Sequence, residues 1–269
     1  MRSRALRLGL VVVVAGGLGL LAGCGDGGGD GAGDGAPGAV DGGAVDGGGD
    51  GGALGGDGGA TGRCPVGMTD TGSVCMDLHE APNQVGAVPL VMYTFDEAEA
   101  WCGARGKRLC FDDEWTAACA GPALQPYPYG TTRVPGRCND DKVWRVYTQS
   151  RLNGWPSGVS TPAVDSLQTL LAAARARGVA AADAATHIEE LYQGEAAGLN
   201  PMCVGAAGAF DLVGNVEEWT RRRSGGMASF HGALKGRYWA ESRTCQSTVT
   251  THGDSFRFYE IGFRCCQPR

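Results

Sequence analysis

Cysteine constrains what this chain can fold into more than any other residue type. Ten of its eleven cysteines lie beyond residue 63, at positions 64, 75, 102, 110, 119, 138, 203, 245, 265 and 266. In an exported domain, an even and dense set of this kind reads as a framework of up to five disulfides. The competing reading is a metal site. It fails on spacing, because no CxxC pair occurs and His79, His187, His231 and His252 show neither HxxxH nor HExxH.

The amino terminus supplies the argument for export. Three arginines fall within Met1–Arg7, and the chain then runs apolar from Leu8 to Ala22, which is the charged and apolar regions of a secretory signal. That run is too short to cross a bilayer as a helix. It ends in Leu21-Ala22-Gly23-Cys24, which resembles the bacterial lipobox. The resemblance implies that residues 1–23 are removed and that Cys24 carries the lipid. Several acyl chains on one residue exceed the single chain that binds a membrane only marginally. The expected location is therefore the cell envelope, outside the cytoplasm, with the protein held on the outer membrane or cell surface by its lipid anchor.

Residues 24–62 form a linker: after Cys24 the chain is almost wholly Gly, Asp and Ala, with seven aspartates and no basic residue. Such a segment buries too little to offset the entropy of ordering, so it reads as a flexible tether with a typical reach of about 30–37 Å. The remaining segment, 63–269, is long enough for one domain with a sizeable core. It carries 20 basic and 22 acidic residues, a near balance that offers no basic footprint for nucleic acid.

Within this domain, Thr94 followed by Glu97 predicts a capped amphipathic helix that stops at Gly103 to Gly106. A second short helix is predicted from near Asp112 to Cys119. Gly214-Asn215 is a turn signal, and Phe256 to Cys266 reads as strand. In the stretch 142–200, Thr161-Pro162 reads as a helix start, with Val164, Leu167, Leu170 and Leu171 at helical spacing. A further helix is predicted over 181–192. This helical insertion is read either as packing on the domain or as an arm for a partner.

Several of these strings together carry a resemblance. Ala104-Arg-Gly-Lys-Arg-Leu109 with Glu114-Trp115 comes first, then Tyr127-Pro-Tyr-Gly130. Asp211-Leu-Val-Gly-Asn215 with Glu218-Trp219 follows, and Gly262-Phe-Arg-Cys265 comes last. In this order, across 63–269, the chain resembles the formylglycine-generating, or sulfatase-modifying factor, family. The resemblance implies an α+β fold of the variant C-type-lectin-like kind, with small twisted sheets and much irregular chain. It also implies disulfides Cys102 with Cys265 and Cys119 with Cys245. Cys64 with Cys75 is expected as a local loop, and Cys110, Cys138, Cys203 and Cys266 are expected to pair among themselves.

Two features bear on function. The segment 211–218 is similar to the family's calcium site, which implies Asp211, Glu218 and the Gly214 and Val216 carbonyls as ligands; such hard oxygens are what calcium prefers. The competing reading has Asn215 capping a tight turn and Glu218 solvated. Enzymes of the family use a C-x4-C pair and copper to oxidise a substrate cysteine, after a Gly-Gly-Ser-Tyr-like strand. Here the strand is Leu234-Lys-Gly-Arg-Tyr-Trp239, and Ala240-Glu-Ser-Arg-Thr-Cys245 holds one cysteine. Counted from the strand, Cys245 takes the second catalytic place, whereas counted from Gly262-Phe-Arg-Cys265 it takes a structural one. Either way the pair is broken and no copper is expected, since a soft cuprous ion needs two thiolates. The expected function is a non-catalytic binding or structural module for an envelope or extracellular protein, peptide or glycan. The alternative is a formylglycine-generating-type oxidase or a related iron or copper enzyme. Trp144, Trp155, Tyr238 and Trp239 are candidates for lining a groove.

Overall fold

The computed structural model describes residues 64–223 and 230–269. The expected signal, Cys24 and the linker lie outside the described residues. In chain order the elements are β1 (Met68–Asp70), β2 (Cys75–Asp77), α1 (Phe95–Gly103), β3 (Arg108–Leu109) and α2 (Asp112–Ala120). Then come α3 (Gln149–Leu152), α4 (Leu167–Arg175), α5 (Val179–Leu191), β4 (Glu217–Arg221), β5 (Gly232–Lys235), β6 (Thr248–Val249), β7 (Ile261–Phe263) and β8 (Cys265–Gln267). Among the described residues no helix is long and apolar enough to cross a membrane. The architecture is α+β, a variant of the C-type-lectin-like fold, with short strands and long irregular connections.

Two four-stranded sheets, ordered β1-β2-β8-β3 and β6-β5-β4-β7, share the C-terminal segment. β7 pairs parallel with β4 in the second sheet, and β8 pairs antiparallel with β2 and β3 in the first. Side chains alternate faces along a strand. Adjacent Cys265 and Cys266 therefore point into different cores, Cys265 beside Trp101 and Phe263, and Cys266 beside Trp115 and Leu212. The structure bridges Cys102–Cys265, Cys110–Cys266, Cys119–Cys245, Cys138–Cys203 and Cys64–Cys75. Three of these tie the segment 102–119 to the segment 245–266. A framework of five disulfides belongs to an oxidising, non-cytoplasmic compartment.

Helix α1 begins as a capping box: Thr94 Oγ1 accepts from Glu97 N–H (3.2 Å), and Glu97 Oε2 accepts from Thr94 N–H (2.9 Å). It buries Phe95, Ala98, Trp101 and Cys102. The insertion departs from the sequence reading at its start. Helix α4 is capped by Ser166, whose Oγ accepts from Thr169 N–H (3.1 Å), and not by Thr161. The Thr161, Pro162 and Val164 carbonyls are held by the Tyr93 hydroxyl, Arg105 Nη1 and Trp101 Nε1, so they are taken before a helix can use them. α5 begins at Val179, two residues ahead of the expected Ala181. Leu167, Leu170, Leu171, Ile188 and Leu191 join the same core as Tyr93 and Trp101, so the insertion packs on the domain. Of the expected strand 256–266, only Ile261–Phe263 and Cys265–Gln267 pair in a sheet. Phe256–Glu260 is irregular and lines a cleft.

Candidate functional site

Beyond β5 the chain turns through Gly236 and Arg237, both at positive φ, and Trp239 enters the core. Ala240 follows and has no donor atom. Cys245 Sγ is bonded to Cys119 on α2. All ten cysteines of the described residues are in disulfides, so no thiolate is available there to bind a soft metal.

Arg264 joins β7 to β8 and is fully buried. Its Nε and Nη2 donate to the two Glu218 carboxylate oxygens (2.8 and 2.7 Å), and its other donors reach the Asp77, Leu78 and Phe210 carbonyls. Trp115 Nε1 donates to Glu218 Oε2 at 2.9 Å. Glu80 Oε2 lies 4.0 Å from Arg264. Burial, and then the charge of Asp211, push the Glu80 carboxyl well up; burial lifts Asp211 to about 7 against the pull of Arg264. The loop beside them is fixed by Asn215, whose Oδ1 accepts from Asn139 Nδ2 and Glu195 N–H while its Nδ2 donates to Glu80 Oε1. Gly214 is needed there: at φ 79 its Cα lies against Asn139, and a Cβ would fall 2.3 Å from the Asn139 carbonyl oxygen.

This geometry bears on Glu218, one of the residues expected to hold calcium. Glu218 is neither solvated nor free for a metal, because both its oxygens already bind a guanidinium, and that positive charge at the centre of the cluster repels a divalent ion. Of the four expected ligands, Glu218 is therefore taken by Arg264, whereas Asp211 keeps a buried Oδ1 without a hydrogen-bond partner. Among the described residues no group of three or more His, Cys, Asp or Glu side chains is placed to hold a metal.

On the opposite face of β4 the strand alternation turns Glu217 into a cleft of about 360 Å³. Tyr147, His252, Phe256, Phe258 and Glu260 line it as well. Glu217 Oε1 accepts from Arg237 Nη1 at 3.0 Å, and Arg237 also pairs with Glu241, which Arg243 binds in turn. Glu260 is nine-tenths buried, and its Oε2 has no hydrogen-bond partner. Burial and then the neighbouring Glu217 push the Glu260 carboxyl up to about 8. Of the groove candidates, Trp239 is core, Trp155 and Tyr238 are half-buried, and Trp144 is exposed with its ring 6.0 Å from Tyr147.

Residues 68–268 match the model of the sulfatase-modifying factor enzyme 1-like domain. The chain belongs to that family. A curated relative, the inactive C-alpha-formylglycine-generating enzyme 2 of Bos taurus, is 28% identical over 185 residues, covering 66% of this chain and 49% of its own. The chain thus spans about half the length of that relative. Among solved structures, CarF is 16% identical over 61% of this chain and 48% of its own, with a TM-score of 0.34. Treponema denticola variable protein 1 is 15% identical over the same shares, with a TM-score of 0.33.

After β5, Ala240 carries no thiol and Cys245, the one cysteine of that segment, is a disulfide half. Glu80, Arg237, Glu260 and Arg264 escaped the sequence reading. One signal was present: the doublet Glu217-Glu218 precedes Trp219 in a strand, and a strand must send its two carboxylates to opposite faces.

Proposed function

We propose that this chain is a non-catalytic binding or structural module, a sulfatase-modifying factor domain displayed at the cell envelope through a lipid on Cys24. The observation that carries the reading is the Cys119–Cys245 bridge. Oxidation of a substrate cysteine by the family's chemistry needs a metal between two enzyme thiolates, and a bridged Cys245 opposite Ala240 supplies neither. Membership of the family supports the scaffold but not the activity, because a fold hosts many functions. The relative named as inactive supports a domain that persists without catalysis.

Incubating the purified protein with copper and a Cys-x-Pro-x-Arg peptide is expected to yield no formylglycine. Ala240→Cys is expected to stay inactive while Cys245 remains bonded to Cys119. Copper-dependent turnover by the wild-type protein, abolished by Cys245→Ser, overturns the reading in favour of the oxidase. The anchor has its own test. Cys24→Ser is expected to shift the protein from the membrane to the soluble fraction or leave it unprocessed, and a wild-type mature protein lacking acyl groups by mass spectrometry removes the anchor from the proposal.

A further inference from the structure

We propose that the cleft between Glu217 and Glu260 binds an alkylammonium group, the charged end of a lysine side chain or of a free alkylamine, with the Glu260 carboxylate accepting its N–H. This deepens the binding-module reading and rests on it.

The argument begins with charge. Two carboxylates, Glu217 and Glu260, and one guanidinium, Arg237, line the cleft; Arg237 binds Glu217 and is shared with Glu241, which Arg243 also binds. Glu260 has no ion pair of its own and feels Arg237 only at a distance, while Arg237 bonds Glu217 and Glu241. His252 is a weak source of a cation, because burial and then Arg237 lower its pKa. A buried carboxylate oxygen without a partner loses its solvation with nothing in return, and a protonated ligand restores the balance.

The lining selects the kind of cation. Tyr147 and Phe258 meet edge to face at 5.0 Å, Phe256 lies 6.0 Å from Phe258, and His252 stacks on Phe256 at 3.9 Å. Such walls suit a carbon chain and place ring electrons beside its charged end. A divalent metal is disfavoured, since calcium takes six to eight oxygens and Glu217 is already bound to Arg237. A guanidinium is less well matched, because it binds best through two parallel N–H donors and only Oε2 is both buried and unpartnered. The acceptor is held in place by the backbone, with Glu217 N–H donating to the Glu260 carbonyl at 2.9 Å.

Calorimetric titration of the purified protein with 1,5-diaminopentane, Nα-acetyl-lysine methylamide and the Nε-acetylated form of the latter tests the proposal. At about pH 9 the Glu260 carboxyl is ionised while alkylamines remain protonated. Saturable binding of the two amines, with none of the acetylated probe, is expected. Glu260→Gln is expected to weaken the amines by about tenfold or more, the loss of one charge-assisted hydrogen bond. Tighter binding of the lysine amide than of the diamine assigns the site to a peptide, and the reverse order to a free amine. Equal affinity for charged and acetylated probes, no saturation at millimolar probe, or binding unchanged in Glu260→Gln overturns the proposal. The comparison of probes on the wild-type protein stands even if the variant does not fold. Failure here leaves the non-catalytic reading intact, since that one falls only to copper-dependent turnover.

Discussion

Arg264 shows how much one side chain can organise. It sits where the C-terminal segment leaves one sheet for the other, and its guanidinium binds Glu218 on β4 together with the Asp77 and Leu78 carbonyls at the end of β2. Both sheets therefore depend on a single buried cation. Removing one partner of a buried ion pair leaves the other charge uncompensated, at about 3–5 kcal/mol. Arg264→Met is expected to lower the unfolding free energy by that order in a denaturant titration, since Glu218 keeps only its Trp115 donor and the Phe210 carbonyl loses the Arg264 donor. Arg264→Lys should recover only part, because an ammonium cannot reproduce the fork on both Glu218 oxygens. The same geometry predicts that calcium leaves the wild-type melting midpoint unchanged. A calcium-dependent rise, lost in Glu218→Gln, would show that the carboxylate serves a metal instead of the guanidinium.

At the scale of elements, the bridges replace what two-, three- and four-residue strands cannot supply. Cys119–Cys245 closes a loop of 126 residues, but Cys102–Cys265 and Cys110–Cys266 already join the same two segments, so the loop it closes in the cross-linked chain is far shorter. Replacing Cys119 and Cys245 together by alanine is expected to cost about 2–4 kcal/mol, measured by calorimetry under non-reducing conditions, and to leave the fold intact. A loss of all cooperative unfolding would mean the bridge does more than restrict the unfolded chain. Helices α1 and α2 were legible because Thr94, Glu97 and Glu114 write their caps locally. The start of α4 was not, because Trp101, Tyr93 and Arg105 claim the carbonyls of 161–164 from a distance of more than fifty residues. The strands were illegible for a related reason: Phe256–Glu260 has strand-forming residues, yet only the next three, Ile261–Phe263, meet β4. The surroundings of Glu218 were illegible at the same point. Glu218 reads as a metal ligand only while Arg264, forty-six residues away, is out of view.

Across the whole molecule, buried acids dominate the response to pH in one window. Asp211 rises from 3.8 to about 7 and Glu260 from 4.5 to about 8, both because burial disfavours the charged form. The folded state then holds protons that the unfolded chain has released, so these groups add stability fully below their unfolded values and lose it as pH rises through about 7 and 8. His79 acts in the opposite direction: burial lowers it from 6.5 to about 4, and its contribution grows as pH climbs to 6.5 and then stops. Lys235, lowered by burial from 10.5 to about 8, becomes stabilising with rising pH only above that value. Between 6.5 and 8 the acids therefore act without opposition from these two groups. Each contributes a slope of at most about 1.4 kcal/mol per pH unit. The melting midpoint is expected to fall across this window, with Asp211→Asn and Glu260→Gln each flattening the slope. A midpoint that stays level or rises from pH 6.5 to 8 would mean that both carboxyls are already ionised in the folded protein, and Glu260 would then need a resident cation beside it.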